Sequence, residues 1–268
     1  MKRTRDYSPR TNLLQFRVLL ARYLKQIVTN PWFIVPLVLQ PVVMLIITSI
    51  VYEDGTFSVP WEHITSAHAT PFLLVLSTAL MGLLNSYREI CKERDVLSRE
   101  VFGGVDVVSY LGSKVIALGI VGFAQSLVVT FGSLAFIDYE LADPAAGLTL
   151  IFLAVFLTNY CVTALGLTVS ALLKKSESAI LPVLVIIVMQ VVCSGALIEF
   201  DEMPMELVYF FTPTMYGTSV IGNVTGIEMV RDIYRYNRWF CLAMLIVIAA
   251  VCHVLTALKL KHDYRTKD

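Results

Sequence analysis

The sequence contains no G-x-x-x-x-G-K-[ST] stretch, so it has no P-loop with which to cradle the phosphates of a nucleotide. It has no H-E-x-x-H pair and no Cys/His cluster; His63 and His68 stand five apart and read as solvated loop histidines. The five cysteines form no C-x-x-C, and Cys161, Cys193, Cys241 and Cys252 sit inside apolar runs, as small core residues do. Charge is scarce as well: Asp, Glu, Lys and Arg make up 16% of the chain against about 25% in soluble domains. With 57% apolar residues and a mean hydropathy of +0.72, a soluble globular chain is excluded. The carboxylates all lie outside the long apolar runs, which leaves no acid at depth for intramembrane hydrolysis. We expect no catalytic residue, no metal site and no cofactor held by this chain.

What the sequence has is uncharged apolar runs. A transmembrane helix needs ~20 such residues. Six runs lack Lys, Arg, Asp and Glu: Pro31–Val51, Ala67–Ser86, Val115–Ile137, Gly147–Leu173, Ser178–Ile198 and Trp239–Leu258. They are continuously apolar rather than alternating, which predicts helices and not a barrel. The first run is too long for a signal peptide and no small-x-small site follows it, so residues 1–30 are expected to be retained. The reading is one membrane domain over 1–268: a tail and amphipathic helix in 1–30, six spans in 31–258, and a second tail in 259–268.

The net charge of zero hides a strong asymmetry. Taken alternately, the segments 1–30, 87–114, 174–177 and 259–268 hold 18 of the 21 Lys and Arg and 9 of the 21 acids. By the positive-inside rule these segments are cytosolic, and both termini with them. The loops 52–66 and 138–146 fall outside. Residues 199–238 form a longer outer segment, with an apolar patch at Leu207–Phe211 between Pro204 and Pro213 that is too short to span. A re-entrant element is expected there. Asn223-Val224-Thr225 fits a glycosylation sequon.

Leu13–Val28 reads as an amphipathic helix lying along the inner surface. Arg17, Arg22, Lys25, Gln15 and Gln26 share one side, and Leu13, Phe16, Leu20, Tyr23, Leu24 and Ile27 the other. Asn30-Pro31 ends it and starts the first span; Pro41 is expected to kink that span.

The stretch between the second and third runs is the chemical outlier. Eight of the fourteen residues from Tyr87 to Glu100 are charged. Glu89 and Lys92, and Asp95 and Arg99, have helical pairing distances. The spacing predicts that the second span continues into the cytosol as Tyr87–Phe102 and that Gly103-Gly104 stop it. A short helix Val105–Leu111 would follow, with Asp106 near its N-terminus, and Lys114 would open the third span. The result is a helix-turn-helix knob whose tip, with Val105, Val107, Val108 and Tyr110, is costly to leave in water.

These residues carry a resemblance. Glu93, Ser98-Arg99-Glu100, Gly103 or Gly104, and Tyr110-Leu111-Gly112-Ser113-Lys114 resemble the pattern that follows the second span in ABC-2 type membrane subunits. The likeness is nearest to the White and pleiotropic-drug-resistance branch, subfamily G, with the type V exporter fold. Ser194-Gly195, Met203-Pro204, Thr212-Pro213 and Tyr216 resemble the segment after that branch's fifth span; Glu206 stands where the branch has tryptophan.

The resemblance implies an all-α polytopic membrane protein with an N-terminal connecting helix (13–28), a cytosolic coupling helix (103–112) and a re-entrant outer segment. It implies a coupling interface of Arg17, Arg22 and Lys25, of Glu93, Arg94, Arg99 and Glu100, and of the tip from Gly103 and Gly104 through Val105, Asp106, Val107, Val108 and Tyr110. The implied partners are a separate P-loop ATPase subunit that carries ATP and Mg, a second permease copy, and the lipid bilayer, with no nucleic acid. By analogy the second and fifth spans line a translocation path, offering Ser77, Thr78, Met81 and Asn85 on one and Met189, Gln190, Cys193 and Ser194 on the other. Uncharged spans favour an amphipathic or lipid-like cargo. The alternatives are a polysaccharide or teichoic-acid exporter permease and a non-transporting scaffold or sensor.

Overall fold

A computed structural model describes residues 9–58, 60, 62–194, 211–227 and 232–265. The described residues are helical, with no strand among them. In chain order the helices are α1 (Pro9–Thr29), α2 (Pro31–Val51), α3 (Ile64–Ser86), α4 (Arg94–Phe102), α5 (Val107–Ser133), α6 (Pro144–Leu172), α7 (Ile180–Val192), α8 (Pro213–Val224) and α9 (Arg238–Arg265). Among the described residues, five helical stretches are long and apolar enough to cross a membrane: α2, α3 with its continuation to Phe102, α5, α6 and α9. The expected span Ser178–Ile198 appears as α7, which is 13 residues long in its described part; residues 195–198 lie outside the described residues.

Local chemistry sets these boundaries. Asn30 caps α2, its side chain accepting from Trp32 N at 3.0 Å, and Pro31 takes the first helical position where its missing N–H costs nothing. Asp143 and Pro144 start α6 in the same way. Pro41 sits inside α2 and cannot donate to the carbonyl of Leu37 four residues back. Gln125 of α5 fills that vacancy, donating from Nε2 to Leu37 O at 2.9 Å, and its Oε1 accepts from Asn85 of α3 at 2.9 Å. One buried amide thus joins three helices where the proline opens the backbone.

The centre of the bundle is α3 against α6, flanked by α8 and α9. Lipid is as apolar as leucine, so close approach of small residues and interhelical hydrogen bonds hold such contacts. Asn159 of α6 shows both effects. It is buried, donates to Thr78 O of α3 at 3.0 Å, and lies against Gly82 of α3 and Gly122 of α5, where a Cβ would collide with it. His253 of α9 reaches Tyr160 of α6 at 3.1 Å, an interhelical contact of the same kind. The helix α8 is buried along Pro213–Gly222 and is too short to span. Gln190 of α7 accepts from Thr214 N at 3.2 Å and so caps it. Residues 199–210 and 228–231, which include Leu207–Phe210 of the expected re-entrant patch, lie outside the described residues.

The two ends of the bundle differ. At one end the loops after α2 and α5 lock together, Ser58 donating to Glu140 at 2.5 Å and Asp138 N to Tyr52 at 3.2 Å. His63 pairs there with Glu53 at 2.7 Å and His68 packs on Tyr234, so the two histidines serve different partners. At the other end α1, α4, the first turns of α5 and the last turns of α9 share a second apolar cluster, including Leu19, Leu97, Tyr110 and Leu260.

Candidate functional site

The second end carries the charge-rich stretch, and the structure corrects its expected shape. The second span does not run on as one helix through Tyr87–Phe102. It stops at Ser86, turns, passes through a 3-10 turn at Cys91–Glu93 and restarts as α4. Ser170 of α6 explains the break: its hydroxyl accepts from the main-chain N–H of Ile90 at 2.9 Å and of Cys91 at 3.0 Å, partners a continuous helix would not present. Arg94 then anchors the restart. It donates to the carbonyls of Ala171 and Leu173 at 3.3 and 2.7 Å, which the end of α6 leaves unpaired, and forms an ion pair with Asp263 of α9.

Gly103 and Gly104 end α4 as expected. Gly104 has φ +102°, and the N–H groups of Gly104 and Val105 return to the carbonyls of Val101 and Glu100, both at 2.9 Å, the double closure of a Schellman turn. Asp106 caps the next helix, accepting from Ser109 N at 2.9 Å. The separate short helix expected at Val105–Leu111 is replaced by the opening turns of α5, which runs unbroken from Val107 to Ser133. Nothing in Gly112-Ser113-Lys114 breaks a helix, and Asp106 starts one that continues.

The amphipathic helix α1 packs on this knob. Leu19 and Tyr23 are buried, while Leu13, Leu14 and Val18 are exposed, so the buried face is rotated from the sequence wheel. Gln15, expected on the polar side, faces inward and clamps the α4–α5 turn: its Nε2 donates to Gly104 O at 3.2 Å and its Oε1 accepts from Asp106 N at 3.0 Å. Polarity alone misplaced it because its partners are main-chain groups.

Beneath α1 lies an ion cluster. Lys114 is 2% exposed, with its ammonium 3.1 Å from Glu89, 2.9 Å from Glu93 and 3.7 Å from the centre of the Tyr23 ring. Glu89 also receives Lys92 and the Tyr23 hydroxyl, and Glu93 receives the Tyr110 hydroxyl at 3.0 Å. Burial first, and the Glu89 carboxylate second, push the Tyr23 phenol well above its ordinary value, so it stays a neutral donor. Toward the surface Arg22 clamps Glu100 with two bonds of 2.6 and 3.3 Å. The sequence reading names Lys114 as the start of a span and Tyr23 as an apolar-face residue, and assigns neither to the site. The signal was there: two acids at 89 and 93 and one lysine that closes the 85–114 segment.

The residues assigned to coupling therefore divide into an inner and an outer set. Glu93, Arg94, Val107 and Tyr110 are turned into the protein's own contacts, and Arg22 and Glu100 pair with each other. Arg17, Lys25, Arg99, Gly103 and Val108 remain exposed. Phe102, which the sequence reading did not single out, is 94% exposed at the end of α4. Of the residues assigned to a path, Ser77, Thr78, Met81, Gln190, Cys193 and Ser194 are buried within the chain, while Asn85 and Met189 keep exposed surface.

The family model of ABC-2 type transporters matches residues 14–224, from α1 through α8 and including the knob. A relative, the ABC transporter ATP-binding/permease protein Rv1747 of Mycobacterium tuberculosis, is 27% identical over 260 residues; the match takes in 88% of this chain and 30% of that protein, so the chain spans under a third of its length. The chain belongs to the ABC-2 type transporter family, as the membrane-spanning component of an ABC transporter.

Proposed function

We propose that this chain forms the translocation path of an ABC exporter for an amphipathic or lipid-like cargo, and that the α4–α5 knob receives the work of ATP hydrolysis. The observation that carries this reading is Phe102. A phenylalanine left almost fully in water costs on the order of 2 kcal/mol relative to a buried one. Here it sits on a turn fixed by Gly104, Gln15 and Asp106 and backed by the Lys114 cluster. Such a side chain on a stiff support suits a groove on a second protein. Arg99 beside it and Arg17 on α1 supply the rim charges.

The reading calls for a P-loop ATPase, as a separate subunit or a further domain, that binds ATP and Mg and meets the knob; this sequence holds no such loop. The printed name of the mycobacterial relative joins ATP-binding and permease functions in one longer protein, which supports the pairing of the two parts. Two copies of the chain would face each other, with the half-buried Asn85 and the exposed Met189 toward the path and the buried polar residues of α3 and α7 supporting it. The charge asymmetry of 18 against 3 Lys and Arg supports a cytosolic knob and cytosolic termini. The motif at Glu93–Lys114 favours the White branch.

The test is reconstitution with the cognate ATPase in vesicles. Phe102→Ala should leave the complex folded and hydrolysis active while lowering cargo export at least tenfold. Normal export by this variant, or a purified complex that contains no ATPase, would overturn the assignment.

A further inference from the structure

A cavity of about 290 Å³ opens beside the elbow between α1 and α2. Its floor is apolar, with Ile27, Phe33, Leu37 and Leu118; its rim carries Trp32, Asn85, Arg88 and Lys92. It shares Ile27, Leu37 and Val121 with a second trough of about 250 Å³, which runs between α2 and α5 from Ile34 to Val42 and is apolar but for Gln125. The two adjoin at these residues, a cationic mouth beside an apolar trough.

Three observations define what fits. The exposed Arg88 stacks on Tyr87 and pairs with no carboxylate among the described residues. Lys92 and Lys114 together balance Glu89 and Glu93, so the acid in the lining is neutralised and Arg88 is left as net charge at the mouth. The trough rises from Ile34 to Val42, about 12 Å at 1.5 Å per residue, close to the ~15 Å of hydrocarbon in one leaflet. Its walls include α2, which faces outward along most of its length.

We propose that each copy of the chain holds a phospholipid with an anionic headgroup here, its phosphate at Arg88 and Lys92 and an acyl chain in the α2–α5 trough. The charge and the length together select this occupant: a free phosphate would leave the trough empty, a lipid without a phosphate would leave Arg88 unpaired, and a zwitterionic phospholipid would bring its own cation beside Arg88 and Lys92. The site lies on each copy by itself and needs neither the ATPase nor export, so it stands or falls independently of the proposed function.

The experiment uses the full chain in detergent, given phosphatidylglycerol, phosphatidylcholine or inorganic phosphate, with bound molecules counted by native mass spectrometry. Phosphatidylglycerol should be retained in preference to phosphatidylcholine, and inorganic phosphate should not be retained. Arg88→Gln, at an exposed position, should cut that preference about fivefold, the effect of one basic residue at a membrane surface. Ala124→Trp, also exposed, fills the trough and should reduce retention of both lipids. Equal retention of the two lipids by the unaltered chain, an Arg88→Gln preference that does not change, or unchanged retention by Ala124→Trp would each overturn the proposal. So would a cross-link between two copies through Ala124→Cys, which would show that protein covers the groove.

Discussion

Replacing Lys114 by methionine tests whether the cluster under α1 holds the knob. Lys114 is 2% exposed and lies within 3.1 Å of Glu89 and 2.9 Å of Glu93. Methionine keeps the length of the side chain but leaves two carboxylates facing each other, with only Lys92 to balance them. Removing one partner of a buried ion pair costs about 3–5 kcal/mol, because the remaining charge stays desolvated. At ~2–4 °C per kcal/mol for a chain of this size, the melting temperature should fall roughly 10 °C. Arg22→Ala is the control: Arg22 is 54% exposed, and a surface pair contributes only about 0–1 kcal/mol. The assay is a thermal ramp with a thiol-reactive dye on purified protein, since all five cysteines are buried until the chain unfolds. Glu89→Gln added to Lys114→Met should recover part of the loss by removing a stranded charge. Equal effects of Lys114→Met and Arg22→Ala, or a double variant no more stable than Lys114→Met alone, would refute the reasoning.

Other outcomes follow from the same contacts. Gly82→Ala should destabilise the bundle by about 1–3 kcal/mol, because the added methyl meets the backbone of Asn159 and α3 must move away from α6; the same thermal ramp reads it. Gln125→Leu should cost about 1–3 kcal/mol by leaving the Leu37 carbonyl bare beside Pro41, and pairing it with Pro41→Ala should recover most of that. Tyr23 is ordinarily ionised near pH 10.0 and lies higher in the folded chain. Its contribution is therefore full below pH 10 and is lost as pH rises toward the folded value. Melting temperature should fall above pH 10, and Tyr23→Phe should flatten that slope.

The sequence made some of this architecture plain and concealed the rest, for definable reasons. The bounds of α2 follow from Asn30-Pro31 and an uninterrupted apolar run, and the turn after α4 follows from Gly103-Gly104, because these signals are local. The break between Ser86 and Arg94 was not visible: the segment has good helical pairing, and its interruption depends on Ser170, eighty residues away. The fusion of the short helix with α5 is hidden in the sequence because charge at Lys114 reads as a boundary, whereas the lysine is neutralised by Glu89 and Glu93 from another element. For the same reason the polar residues that matter most in the bundle, Gln125 and Asn159, looked like ordinary members of apolar runs; their meaning lies in a proline and two glycines on other helices. Tyr110 looked like a contact for a partner because its hydroxyl and ring have no local mate, and Glu93 and α1 supply one.

The central claim is that the end of the molecule bearing Phe102 meets a cytosolic ATPase. Phe102→Cys gives the most direct test, because the native cysteines are buried and a cysteine at this exposed position would be the reactive one. A membrane-impermeant maleimide should label it in inside-out vesicles and not in right-side-out ones, and the bound ATPase should protect it. Labelling from the outer side, or labelling that the ATPase leaves unchanged, would contradict the account.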